Sequence, residues 1–164
     1  MSSGTLAPGL SPGCLSSGNL SYSGGTLQIE IAGTTVCTEY DQQTVTGTVM
    51  LGSATTLDVS FLSSFVPALN DEFIIISNDD TDAVTGTFVG MADGSSFDVA
   101  GVTFEINYDG GDGNDVVLSA VSVPTTVTAP DTGAASLLTN PAVAVAAMAG
   151  VLVMVGALRF ADSK

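Results

Sequence analysis

The sequence predicts an all-β chain that ends in one membrane-spanning α-helix. Three observations carry this. Apolar residues recur at every second position over several stretches, the period of a strand with one buried face. Clusters of Gly, Asn and Asp interrupt those stretches at short intervals. Near residue 134 the composition then changes abruptly, and from Ala142 to Leu158 every residue is Ala, Val, Leu, Met or Gly.

Residues 1–25 form a Ser/Gly/Pro-rich lead-in. They have neither a charged n-region nor an apolar h-region, so they are not a signal peptide. An exported chain needs one, which leads to the expectation of a fragment whose export signal lies upstream. The upstream part of the same polypeptide is then a partner. From about residue 26 the period becomes two. Leu27, Ile29 and Ile31 alternate with Gln28 and Glu30; Leu57, Val59 and Phe61 alternate with Asp58 and Ser60. Phe73, Ile74, Ile75 and Ile76 make a continuous apolar run, suited to a strand buried on both faces. Val102, Phe104, Ile106 and Tyr108 alternate with Thr103, Glu105 and Asn107. A sharp Asp/Gly turn follows Tyr108 and leads into Val116, Val117 and Leu118, which predicts a hairpin with a longer loop. The words Thr44-Val45-Thr46-Gly47-Thr48-Val49 and Ala83-Val84-Thr85-Gly86-Thr87-Phe88 echo each other, which suits stacked coils.

Charge narrows the function. The formal net charge is −15. Both cations, Arg159 and Lys164, lie in the last six residues, and 16 of the 17 acids lie in residues 1–133. A region without cations cannot neutralise phosphates, so nucleic acid is excluded as a partner. There is no His and no Trp. The commonest general base and the commonest zinc ligand are therefore missing. Carboxylates alone can hydrolyse glycosides, but sugar clefts are rich in aromatics, which make up only 6 % here. The expectation is a protein that is not an enzyme; a degenerate carboxylate glycosidase is the catalytic alternative.

Cys14 and Cys37 sit in polar, turn-like contexts, form no CxxC pair and have no His to join them. In an oxidising extracellular setting they make one structural disulfide; two free thiols are the alternative.

The succession Ser17-Gly18-Asn19-Leu20, Gly24-Gly25-Thr26-Leu27, Thr38-Glu39-Tyr40-Asp41-Gln42, Val84-Thr85-Gly86-Thr87-Phe88 and Ile106 through Leu118 resembles the closing segment of autotransporter-type β-strand-repeat surface proteins. The resemblance spans roughly residues 10–120. It implies a parallel β-helix, or solenoid end, over residues 26–120, closed by a C-terminal antiparallel hairpin. It also implies an adhesin-type role.

Residues 121–133 are a Pro/Thr linker, and residues 134–164 hold the apolar segment and a short basic tail. The run from Ala142 to Leu158, extended by its flanks, is long enough for a helix to cross a hydrocarbon core of about 30 Å. Arg159 and Lys164 follow as stop-transfer charges, which places the N-terminus outside. Ala129-Pro130-Asp131-Thr132-Gly133 immediately before an apolar segment and a basic tail resembles a Gram-positive-type LPXTG cell-wall sorting signal, with Ala129 where the family pattern has Leu. The resemblance implies a sortase-type transpeptidase as partner. Its cysteine attacks the Thr132 carbonyl, and a cell-envelope acceptor amine resolves the acyl-enzyme. A cell-surface location, anchored to cell wall or plasma membrane, follows from it.

Gly110-Gly111-Asp112-Gly113-Asn114-Asp115-Val116-Val117-Leu118 matches the calcium nonapeptide pattern, though in a single copy. Asp109, Asp112 and Asp115 are accordingly candidate ligands for a weak, millimolar-class calcium ion; an Asp/Gly-rich hairpin turn is the plain alternative. No other cofactor is expected. Beside the structural, adhesin-type surface protein stands a second reading: a single-pass, uncleaved module that binds calcium or glycans.

Overall fold

The computed structural model describes residues 4–125. Its regular elements are eleven strands: β1 (Thr5–Leu6), β2 (Cys14–Ser17), β3 (Leu20–Tyr22), β4 (Gly25–Ile31), β5 (Gln42–Val45), β6 (Val49–Leu51), β7 (Thr55–Phe61), β8 (Glu72–Asn78), β9 (Ser96–Val99), β10 (Val102–Gly110) and β11 (Asp115–Ser122). The strictly alternating stretches become the long strands. In β4, Leu27, Ile29 and Ile31 are fully buried. β7 lies parallel beside it and in register, pairing Leu27 with Leu57, Ile29 with Val59 and Ile31 with Phe61. Matching side chains across a parallel pair stack on one face, so the register buries the apolar set as a unit.

The strands fall into three sheets. One has the order β1-β4-β7, one pairs β3 with β6, and the largest runs β2-β5-β8-β11-β10-β9. In the largest, β2, β5 and β8 are mutually parallel. The β8–β11, β11–β10 and β10–β9 pairs are antiparallel. The core gathers the buried faces of all three sheets. Phe104 stands among Phe61, Phe73 and Phe97, with ring centroids 6.1, 6.1 and 5.9 Å away. Offsets of this size favour tilted and edge contacts.

The expected parallel β-helix followed by one transmembrane α-helix is corrected. Three open sheets form, and the largest is mixed rather than parallel. The physical cause is the turn after Tyr108. It reverses the chain so that β11 enters between β8 and β10 and takes antiparallel partners on both sides. The hairpin is thus an interior part of the sheet and not a cap, and Val116, Val117 and Leu118 are all buried. Among the described residues there is no helix, hence none long and apolar enough to cross a membrane. The run from Ala142 to Leu158 lies outside the described residues.

The Ser/Gly/Pro-rich lead-in contributes more than its composition suggests. β1, β2 and β3 supply one parallel strand to each sheet. Between β8 and β9 the chain has little regular structure, yet it is tied down. The Tyr108 hydroxyl donates to the Met91 carbonyl at 2.8 Å and accepts the Phe88 N–H at 3.0 Å. The two echoing words meet only at the end of the first, where the Thr85 N–H donates to the Val49 carbonyl at 2.9 Å; Thr85 bridges to Met50 and extends the β3–β6 pair by one rung.

Candidate functional site

Two polar constellations stand out from the apolar framework. The first holds the lead-in. Cys14, the first residue of β2, is disulfide-bonded to Cys37, with Cα atoms 4.8 Å apart. Cys37 belongs to a tight turn and has φ of 66°. Beside it Asp41 is fully buried, and its two carboxylate oxygens accept the N–H groups of Gly13 at 2.6 Å and Glu30 at 2.9 Å. Ser11 donates its hydroxyl to the Glu30 carboxylate. Burial pushes the Asp41 carboxyl above the usual aspartate range; the two N–H donors oppose this, and the Glu30 charge adds to it. Disulfide and carboxylate together pin residues 11–14 to β4 and β5.

The second constellation sits at the end of the six-stranded sheet, where β8 ends and β11 begins. Asp115 is buried, and one of its oxygens accepts the Asn78 N–H at 2.8 Å. Burial raises its carboxyl above the usual range, the Asn78 N–H pulls it back, and the Asp112 charge raises it further. Asn78 donates its side-chain amide to the Asp82 carbonyl at 2.6 Å. Asn114 donates to the Asp79 carbonyl at 3.0 Å and to the same Asp82 carbonyl at 3.2 Å. The β8–β11 register accounts for this meeting. Val116 pairs with Ile76, so Asn114 and Asn78 stand opposite each other two residues further along.

Of the three nonapeptide carboxylates, only Asp115 is buried; Asp109 and Asp112 are exposed. Asp109 has its N–H bound to the Asn107 side chain, and Asp115 is engaged with Asn78. Among the described residues, no three acidic, Cys or His side chains gather as a metal site would need. Asp71 serves a turn, accepting the Ala68 N–H at 2.9 Å. Ala129, Pro130, Asp131, Thr132, Gly133, Arg159 and Lys164 lie outside the described residues. Asn78 and Asp82 carry no sequence motif, and neither Asp41 nor Asn114 was a candidate site residue. Their only advance sign is that Asn114 immediately precedes the motif acid Asp115, opposite a strand ending in Asn78.

A shallow groove runs along Leu57, Val59, Met91, Phe97 and Val99, with Asp58 and Asp98 at its edge. It brings two carboxylates near apolar walls, and the Thr103 hydroxyl donates to Asp98 at 2.7 Å. Comparison with protein-family models, curated proteins and solved structures finds no match.

Proposed function

We propose that this chain is a non-enzymatic, structural or adhesin-type protein of the cell surface, whose β module is displayed outside the cell and held to the envelope through residues 129–164. The observation that carries this reading is the Cys14–Cys37 disulfide. Such bonds persist in oxidising surroundings and are rare in the cytosol. The charge distribution agrees with it: 16 acids and no cation precede residue 134, a composition that keeps a displayed module soluble and self-repelling. The Ala129-Pro130-Asp131-Thr132-Gly133 word ahead of an apolar run and Arg159 supplies the attachment chemistry. In that chemistry the chain is the substrate: a transpeptidase thiolate attacks the Thr132 carbonyl, the Thr132–Gly133 bond breaks, and an envelope amine takes the acyl group.

Intact-mass measurement on protein recovered from its native envelope tests the attachment. The expected product ends at Thr132 and carries an envelope fragment. A full-length chain ending at Lys164 in the membrane fraction overturns the cleavage step. Alkylation of intact cells with a membrane-impermeant thiol reagent, before and after reduction, tests the location. Labelling of Cys14 and Cys37 only after reduction is expected; free thiols in a cytosolic fraction overturn the surface reading.

A further inference from the structure

We infer that the groove between β7 and β9 docks an extended, cation-bearing peptide segment of a partner protein, which pairs with an open strand edge there, independently of how the chain is attached to the envelope. β7 ends the three-stranded sheet and β9 ends the six-stranded one, and residues of both line the groove. The hydrogen bonds show which way each edge faces. The Leu62 N–H donates to the Ile31 carbonyl of β4, whereas the Thr55 carbonyl accepts the Val89 N–H on the opposite side, both at 2.8 Å. Backbone groups alternate sides along a strand, so Leu57 and Val59 turn their N–H and C=O groups away from β4. On β10, Ile106 donates its N–H to the Ser95 carbonyl and accepts the Gly94 N–H. The same alternation turns the backbone groups of Ser96 and Asp98 away from β10.

The side chains stop short in the same place. Leu57 and Val59 continue the row of Leu27 and Ile29, which are fully buried, yet they are themselves only half-buried. Phe97 and Val99 stand in the same relation to the buried Phe104 and Val102. Val89 lies beside β7 at Thr55, but the chain then turns, with the Met91 N–H donating to the Phe88 carbonyl at 3.0 Å. The edge is thus covered at Thr55 and open from Leu57 onward. Both apolar rows end at one gap of about 400 Å³. Water can serve the open backbone groups but not the apolar side chains, whereas an added strand serves both.

Charge selects the occupant. The charged residues of the groove are Asp58 and Asp98, both acidic and both exposed. Residues 4–125 contain no Lys, Arg or His, so this module cannot supply their counter-charge. The same region of a second copy would bring only further carboxylates, and like charges repel. A partner segment with Lys or Arg at its flanks is complementary instead, and complementary charge sets specificity and the rate of encounter. Between the cations it carries apolar residues at every second position, because alternate side chains of an added strand face the same way. Main-chain pairing then holds the segment, and the apolar rows select its side chains.

Titration of the full chain in mild detergent tests the site, with a short synthetic peptide of alternating Val and Thr and a Lys at each end as probe. Backbone amide NMR should show saturable shifts concentrated at Leu57, Asp58, Val59, Met91 and residues 97–100. The same peptide N-methylated at alternate residues has lost half its main-chain donors and should bind about tenfold more weakly. D58N combined with D98N should weaken the unmethylated peptide about five- to tenfold, as befits two exposed ion pairs. E72Q combined with D109N removes equal charge at exposed positions elsewhere and should leave binding unchanged. Equal losses in the two double variants would mean general attraction to an acidic surface and overturn the site. Equal binding of the N-methylated peptide would overturn strand pairing. Shifts spread over the whole surface, or none at saturating peptide, would overturn the proposal, as would self-association of the chain through this groove.

Discussion

Phe104 is the residue on which two sheets converge. It is fully buried and meets aromatic rings from β7, β8 and β9. Its neighbours belong to separate strands and cannot collapse together into the space it would leave. Phe104→Ala should therefore cost about 3–5 kcal/mol in chemical denaturation. Asp41 carries a different lesson, about pH. Its folded pKa is raised by burial, so the folded state holds a proton that the unfolded state gives up. A group of this kind stabilises fully below its unfolded pKa of about 3.9, and the contribution is lost as pH rises through the folded value. Asp115 is shifted in the same direction for the same reason. Stability should thus rise on mild acidification from neutral pH toward the ordinary aspartate range. Thermal unfolding across that range checks it. Asp41→Asn should flatten the slope and lower overall stability by about 1–3 kcal/mol, because an amide cannot accept both the Gly13 and Glu30 N–H groups.

At the scale of the element, the β10–β11 turn and the lead-in staple decide the architecture. Gly111 has φ of 60°, and a Cβ there would collide with the Asp115 carboxylate. Gly111→Ala should displace that carboxylate from the Asn78 N–H and lower stability by about 2 kcal/mol or more, read from denaturant midpoints. Removing the disulfide with Cys14→Ser and Cys37→Ser should cost about 3 kcal/mol for a loop of this length. The melting temperature should fall by roughly 10 °C. β4, β7 and β10 were legible in the sequence because one buried face imposes strict alternation, and β8 because its apolar run is unbroken. β1, β2 and β3 were not. They are two to four residues long and are held by backbone pairing, which leaves no periodic trace in Ser-rich sequence. The polar site was only half visible for a related reason. Asp115 stood out as an acid in a motif, while Asn78 and Asn114 owe their meeting to a strand register that no local pattern encodes.

On the scale of the whole molecule, sheet order departs from chain order. β11 is the last described strand in the sequence, yet it occupies the interior of the largest sheet, between β8 and β10. Local alternation specifies which face of a strand is buried but not which strand lies beside it; the parallel architecture was implied by the family resemblance alone, and a mixed sheet forms. The placement has a consequence for biogenesis. While the chain is being made, β8 and the β9–β10 pair have no common partner until Ser122 has been added. Contacts of such long sequence separation form late, after the loop between them has been closed. The six-stranded sheet therefore stays incomplete until β11 has been made. The moment at which the largest sheet closes is thus set by one of its interior strands and not by an edge strand.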